Sequence, residues 1–445
     1  MSKHISDRFP FYYGWVIVIV SLITLMVIYG IWWSFPVFYV NILNEFGWSR
    51  GATATIFTVG LVVYGFGSLA AGALVDRFGP RKLLPAAGLL FASGCLVSSV
   101  STQRWHFYVA YGVFMGFGAI SAGYVPVTAT ISNWFVRRRG TALGISLVGN
   151  VAPPLLAFPI QHLIFLVGWR GAYAVLAGVV LIVIIPLTGI FMRTRPQELG
   201  LEPDGSPGGI EDEGWPQKAG KSIKSRWEIV NREWAEANWV LSRAIKTIQF
   251  WWLAGAVITL AAGAGIIMHH LVALVVDIGY SAELAALVFS IAGFMAAAGR
   301  LGGFLSDRLG REVTFTISTG LFLGSALALL TVIKSAQIHP LYFYAITFGL
   351  GFGLTSPTFS AAAADLFGGR NFGTILGFIN IGFGVGNGLG AWMGGAIFDR
   401  AGSYTLAVMT AIPLFILMGL FFWLAAPRKV RKIIKGIEFP QTPSP

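Results

Sequence analysis

Long apolar runs dominate the chain, and charged residues fall between the runs rather than inside them. Twelve runs stand out, at roughly 14–38, 51–74, 83–101, 107–134, 141–165, 171–192, 248–276, 283–306, 313–334, 341–366, 373–397 and 404–426. An α-helix rising 1.5 Å per residue needs about 20 mostly apolar residues to cross a bilayer, and each run is near or above that length. The pattern predicts an all-α integral membrane protein with twelve transmembrane helices in two six-helix halves. The halves are 1–192 and 248–427, joined by a polar loop at 193–247 and followed by a basic tail at 428–445. The first run is too long for a cleaved signal peptide, and no small-residue cleavage site follows it.

The polar loop has two parts. "LEPDGSPGGIEDEG" (201–214) reads as a turn-rich linker. Beyond it, Trp227, Val230, Trp234, Leu241, Ile245 and Ile248 recur at spacings of three, four or seven, with Arg232, Glu233, Glu236 and Arg243 on other faces. That spacing predicts an amphipathic helix over 222–246, lying on the membrane surface or against the protein itself.

Composition agrees with the pattern. Of 445 residues, 56% are hydrophobic and 11% charged, and the mean hydropathy is +0.73; soluble proteins carry about 25% charged residues. The net charge of +12 raises the question of nucleic acid, but its distribution answers it. With the N-terminus inside, the opposite loops hold Arg50, Arg104, Arg170, Lys334 and Arg400; Arg300 lies within a run; the remaining 25 of 31 basic residues face inward. This is the positive-inside bias, and it predicts cytoplasmic termini in a multi-pass plasma (inner) membrane protein. The one cysteine, Cys95, is in an apolar run and cannot build a disulfide or a cysteine-based metal site. Metalloprotease, Walker and nucleophile-elbow patterns are missing, so no enzyme, metal or cofactor is expected.

The halves repeat. "GALVDRFG" (72–79) ends run 2 and "GFLSDRLG" (303–310) ends run 8. "GTALG" (140–144) opens run 5 and "GTILG" (373–377) opens run 11. "YVP" (124–126) and "TSP" (355–357) share a proline. The offsets are 231, 233 and 231 residues. Six spans separate the copies, so both run in the same membrane direction, which places a substrate site near mid-membrane between the halves.

"GALVDRFGPRK" (72–82) resembles the signature between helices 2 and 3 of the major facilitator superfamily. "FYYGWVIV" (11–18), "WFVRRRGTALGISLVG" (134–149), "GWRGAYAVLAG" (168–178) and "RPQELGLEPDG" (195–205) resemble its monocarboxylate porter and oxalate/formate antiporter branch. The resemblance implies the twelve-helix alternating-access fold and transport of small organic anions. It also implies that the signature loops clamp the cytoplasmic ends of the halves, with Asp76, Arg77, Arg81, Asp307 and Arg308 as gating residues and Asp76 meeting a helix N-terminus or an arginine.

Arg300 is the outlier. It lies seven residues before Asp307, roughly 10 Å into the membrane, where an arginine costs about 2.5–3.5 kcal/mol on insertion scales. The resembling branch places an anion-binding arginine in this helix, and a guanidinium holds a carboxylate through two parallel hydrogen bonds. The branch's lysine in helix 11 or helix 1 is missing here, so one cation favours one carboxylate. Weaker candidates for the cavity are Tyr29 and Trp33, four apart on one helix face; Tyr124 in helix 4; Asn150, ten residues into helix 5; and Asn380 with Asn387, either of which could equally join helices. The branch's acid one turn before the arginine is Ala296 here. Asp277, His270 and His269 are the remaining proton-coupling candidates, and exchange or uniport stands open beside symport. The expected function is secondary active transport of small monocarboxylates, with the lipid bilayer, a small organic anion and, where transport is coupled, a proton as partners and the monomer as the working unit. The rival expectations are an exporter of amphipathic or aromatic compounds on the same fold, and a non-transporting sensor that uses the helix at 222–246.

Overall fold

The computed structural model describes residues 10–48, 50–151, 153–205, 226–335 and 337–434. The first half comprises α1 (Gly14–Trp32), α2 (Phe35–Phe46), α3 (Arg50–Phe78) and α4 (Pro80–Ser99). It continues through α5 (Arg104–Phe107), a π-helical stretch Tyr108–Met115, α6 (Gly116–Ser121), α7 (Tyr124–Trp134) and α8 (Arg139–Leu147). A 3-10 turn, Val148–Val151, leads to α9 (Pro153–Val179), and a second π-helical stretch leads to α10 (Ile185–Phe191). The second half comprises α13 (Ile248–Asp277), α14 (Ala282–Leu301), α15 (Gly303–Leu309), α16 (Arg311–Ser335), α17 (His339–Phe367), α18 (Phe372–Ala401) and α19 (Thr405–Ala425). Between the halves lie β1 (Arg226–Ile229), α11 (Arg232–Glu236) and α12 (Leu241–Ala244), and the tail carries β2 (Arg431–Ile434).

Among the described residues, ten helical stretches are long and apolar enough to cross a membrane. The expected runs 5 and 6 are divided inside α9, where Gly168 breaks the helix with φ 71° and ψ 164°. α17 is 29 residues long but falls outside the ten, because glycines, serines and threonines interrupt its apolar sequence. Run 4 is split at Ala122–Gly123, between α6 and α7, and run 8 at Gly302, between α14 and α15.

Each half packs on itself. In the second half α13 lies against α18 and α19, α14 against α17, and α16 against α17 and α19. In the first, α4 packs on α9 and α10, and α1 on α8 and α9. Helix pairs that cross between the halves include α3 with α18, α8 with α15 and α17, α7 with α18 and α17, and α8 with α14.

The amphipathic helix expected over 222–246 does not form. Residues 222–225 lie outside the described residues. Arg226–Ile229 is a strand, paired antiparallel with Arg431–Ile434 of the tail from Arg226 opposite Ile434 to Ile229 opposite Arg431. Asn231 then caps the short α11 by accepting from the Trp234 N–H, and the chain leaves helical geometry at Ala237. The tryptophans explain the break. Trp234 donates to the Leu366 carbonyl at 2.8 Å, and Trp239 packs edge-on against Phe367 at 5.1 Å. Of the apolar positions that suggested a membrane face, Trp234 is docked with Trp239 on the end of α17, while Val230, Ile245 and Ile248 stay exposed; the tail and the loop form one small layer on the second half. Of the linker, 201–205 forms turns and 206–225 lies outside the described residues.

Candidate functional site

The two signature loops occupy equivalent places. α3 and α15 each end in Asp-Arg-x-Gly, and Gly79 and Gly310 take positive φ, 73° and 100°. An L side chain is disfavoured there, and the glycines turn the chain directly into α4 and α16. Each signature aspartate crosses to the other half. Asp76 accepts from Gly373 N (3.0 Å), Thr374 N (2.6 Å) and Thr374 Oγ1 (2.6 Å). Asp307 accepts from Gly140 N (2.9 Å), Thr141 N (2.7 Å) and Thr141 Oγ1 (2.9 Å). Each carboxylate therefore caps the first turn of a helix in the opposite half, where free N–H groups and the helix dipole favour an anion.

Glycines let these helices touch. A Cβ on Gly72 would run into the Gly373 carbonyl oxygen, and one on Gly303 into that of Gly140. One turn further in, a Cβ on Gly377 would meet the Ser68 carbonyl oxygen, and one on Gly144 that of Arg300.

A buried ion network completes one side of this seam. Arg139 of α8 donates to Asp365 Oδ1 of α17 at 2.5 Å, and Arg311 Nε donates to Asp365 Oδ2 at 2.9 Å. Arg311 also reaches Asp307 at 2.6 Å. Sequence reasoning missed these three. In the sequence Arg139 falls among the inward-facing loop charges and Asp365 inside the apolar run 341–366. An acid within a predicted span was the signal that could have found it.

Arg300 lies in the last turn of α14, 7% exposed, with Nε and Nη1 buried and without a hydrogen-bond partner. A cation there gains about 0.3–1 kcal/mol from the helix dipole, which does not offset the insertion cost. Among the described residues, the ionisable groups near enough to act on it electrostatically are Tyr124 and Tyr29. These tyrosines form a chain across the seam. Tyr29 Oη lies 2.8 Å from Tyr64 Oη and accepts from Tyr124 N at 3.0 Å, while Tyr124 Oη lies 2.6 Å from Ser360 Oγ of the second half. The Trp32 ring stacks on Tyr64 with centroids 4.9 Å apart. Arg300, Tyr29 and Tyr124 are thus brought together. Tyr64 and Ser360, which the sequence did not single out, join them.

Among the described residues, no hydrogen bond or ring contact joins the other expected site residues to Arg300. Trp33 follows the end of α1, 40% exposed, and packs on Phe57 and Trp32 rather than on Tyr29. The Trp33 N–H still donates to the Tyr29 carbonyl at 2.9 Å, so the ring's turn toward Phe57, and not the end of α1, parts it from Tyr29. Asn150 lies in the 3-10 turn, with Oδ1 buried and unpartnered. Asn380 is half-buried on α18. Asn387 accepts from His269 Nε2 at 2.9 Å, and His270 Nε2 donates to the Ala391 carbonyl at 2.8 Å. The Tyr404 hydroxyl lies 3.4 Å from His270 Nδ1, and Asp277 is exposed. Counting rise along the antiparallel α13 and α14 puts these histidines roughly 15 Å above Arg300, so the structure does not gather them with it. Arg77 and Arg308 lie over their neighbouring rings, Phe78 and Phe304, and Arg81 donates to the Gly189 carbonyl.

Comparison with known proteins agrees with this geometry. The sequence pattern of the Major Facilitator Superfamily matches residues 20–380 and 301–444. Monocarboxylate transporter 13 of Rattus norvegicus is 27% identical over 402 residues, covering 90% of this chain and 86% of the relative. Monocarboxylate transporter 2 of Homo sapiens is 27% identical over 426 residues, covering 92% and 85%. An uncharacterized MFS-type transporter, YcxA, of Bacillus subtilis (strain 168) is 26% identical over 383 residues, covering 85% and 87%. Among solved structures, the proton:xylose symporter XylE bound to 6-bromo-6-deoxy-D-glucose superposes with a TM-score of 0.67 at 13% identity, covering 93% of this chain and 95% of that one. Two repeated halves, joined by reciprocal aspartate caps around a buried arginine, are the architecture of a membrane transporter, and the chain belongs to the Major Facilitator Superfamily.

Proposed function

We propose that the protein carries small monocarboxylates by alternating access, with Arg300 as the carboxylate anchor. One observation carries this reading: a buried guanidinium presents two unpartnered N–H groups at the seam between the halves, beside a tyrosine chain that touches both. A carboxylate supplies the missing acceptors and the missing charge, and a planar fork holds it bidentately. With one cation at the anchor, a dicarboxylate would bring a second, unmatched charge into a low-dielectric site. The similarity to monocarboxylate transporters supports the same substrate class.

In this reading the chain crosses the membrane twelve times with both termini in the cytoplasm, and the signature seam is the closed cytoplasmic gate. Asp76, Asp307 and the Arg139–Asp365–Arg311 network hold it, and the site opens outward. Tyr29, Tyr64 and Tyr124 line the approach. The acids and histidines offered for proton coupling lie away from Arg300, which favours exchange or uniport over direct proton symport. The non-transporting sensor loses its main support with the helix at 222–246.

The test is counterflow in proteoliposomes with labelled monocarboxylates and dicarboxylates at two pH values. Monocarboxylate exchange, little changed by pH and abolished in Arg300→Ala, is expected. Normal exchange in that variant would remove the anchor. A second reading, export of aromatic compounds, draws on the cluster of Tyr64, Trp32, Phe57, Phe35 and Tyr111, whose ring centroids lie 4.6–6.0 Å apart in successive pairs. Thermal stabilisation by uncharged aromatic compounds, with none by carboxylates, would favour it.

A further inference from the structure

A second site sits at the signature end, on the outside of the seam. A pocket of about 340 Å³ is lined by Arg77, Arg195 and Arg370, with Asn133 and Thr194 between them. Its two acids are already engaged. Asp76 accepts from Gly373 and Thr374, and Glu198 accepts from the Thr194 N–H at 3.1 Å. Three arginines thus line a polar pocket whose two carboxylates are held by backbone amides, which leaves one positive charge in excess. Adjoining it, an apolar groove of about 350 Å³ runs along Leu74, Leu83, Leu90 and Phe117, with Lys82 at its edge. Phe78 lines both, and Arg77 lies over its ring at 5.2 Å.

A cationic pocket continuous with an apolar groove matches an amphipathic anion. We infer that this is a binding site for one anionic phospholipid, its phosphate among Arg77, Arg195 and Arg370 and an acyl chain in the groove between α3, α4 and α6. A free phosphate ester would use the pocket but not the groove, whereas basic residues beside an apolar face are the usual recognition of anionic lipid. The pocket exists only when the seam is closed. Arg370 comes from the second half, three residues before Gly373, whose N–H Asp76 holds. Breaking that cap carries Arg370 away from Arg77 and Arg195. A lipid bound to all three stabilises the closed seam, and by reciprocity closing the seam tightens lipid binding. This does not depend on what the central site transports.

The test uses the full chain in nanodiscs of phosphatidylcholine alone and of phosphatidylcholine with phosphatidylglycerol. Native mass spectrometry counts retained phosphatidylglycerol, and a thiol reagent probes the buried seam position through Ser68→Cys. With the arginines intact, the chain is expected to retain one phosphatidylglycerol, and its Ser68→Cys variant to label several-fold more slowly in the anionic discs. Arg370→Ala, on an exposed loop, is expected to weaken retention about fivefold and erase the labelling difference, and Arg370→Lys to restore most of it. Ala86→Trp, which fills the groove and leaves the arginines intact, is expected to lose the lipid as well. Equal retention in wild type and Arg370→Ala would overturn the site. Protection by glycerol phosphate in phosphatidylcholine discs, unaffected by Ala86→Trp, would overturn the lipid in favour of a soluble phosphate ligand.

Discussion

At the scale of single residues, Arg300 is explained by its surroundings rather than by its helix. Its counterpart at the seam is Ser68: Gly144 packs on the Arg300 carbonyl as Gly377 packs on that of Ser68. Ser68 satisfies itself by donating to the Gly377 carbonyl at 2.8 Å. Packing at this place therefore asks only for a small polar residue, and the arginine serves something else. Arg300→Lys is expected to keep less than about a tenth of wild-type exchange, because an ammonium cannot reproduce the fork. Equal rates would show that charge alone suffices. Tyr124→Phe removes the bond to Ser360, worth about 0.5–1.5 kcal/mol. It is expected to raise the half-saturating concentration several-fold while leaving thermal stability nearly unchanged. A large fall in stability would make Tyr124 structural instead.

At the scale of elements, the repeats become a mechanism. The four sequence landmarks "DRFG", "DRLG", "GTALG" and "GTILG" are two interlocking pairs: each aspartate caps the other half's Gly-Thr helix start. Removing one cap costs about 0.5–2 kcal/mol, enough to shift a two-state equilibrium severalfold. Asp76→Asn and Asp307→Asn are each expected to speed thiol labelling of Ser68→Cys from the signature side. Gly72→Ala, which drives a methyl into the Gly373 carbonyl, should act the same way. Unchanged protection in all three would show that the caps do not hold the seam. At the opposite end of the first half, Arg170 and Trp169 bond Glu45 and hold its carboxyl below the usual range. A depressed carboxyl contributes stability above its unfolded value, and that stability is lost as pH falls through the folded value. Arg170→Ala is thus expected to lower the melting temperature slightly at neutral pH, with the gap closing below about pH 4. The effect is small, because the pair is partly exposed. A gap that persists in acid would assign it to packing of Arg170 on Trp169.

At the scale of the molecule, the fold is two self-packed bundles that meet along one glycine-lined seam, with the loop and tail joined in a small sheet on the second bundle. Hydrophobic run length was enough to determine the membrane class, because the bilayer demands about 20 apolar residues per crossing whatever the partners are. Repeat spacing was enough to predict two halves, and the isolated charge at Arg300 was legible because no loop could hold it. Other features depended on partners distant in sequence. The periodicity of Trp227 to Ile248 fitted a helix, but strand pairing with 431–434 and docking of Trp234 and Trp239 on α17 decided otherwise. Asp365 draws no notice inside its apolar run, and only the fold brings Arg139 and Arg311 onto it. His270, seven residues before Asp277, shares a helix face with it, yet helix rise sets it apart from Arg300. The sequence by itself determined which segments enter the membrane, since that is a local property of hydropathy and length. Only the tertiary structure decided which polar groups inside it are satisfied and which are left to meet a ligand, since that depends on contacts between residues as much as 309 positions apart.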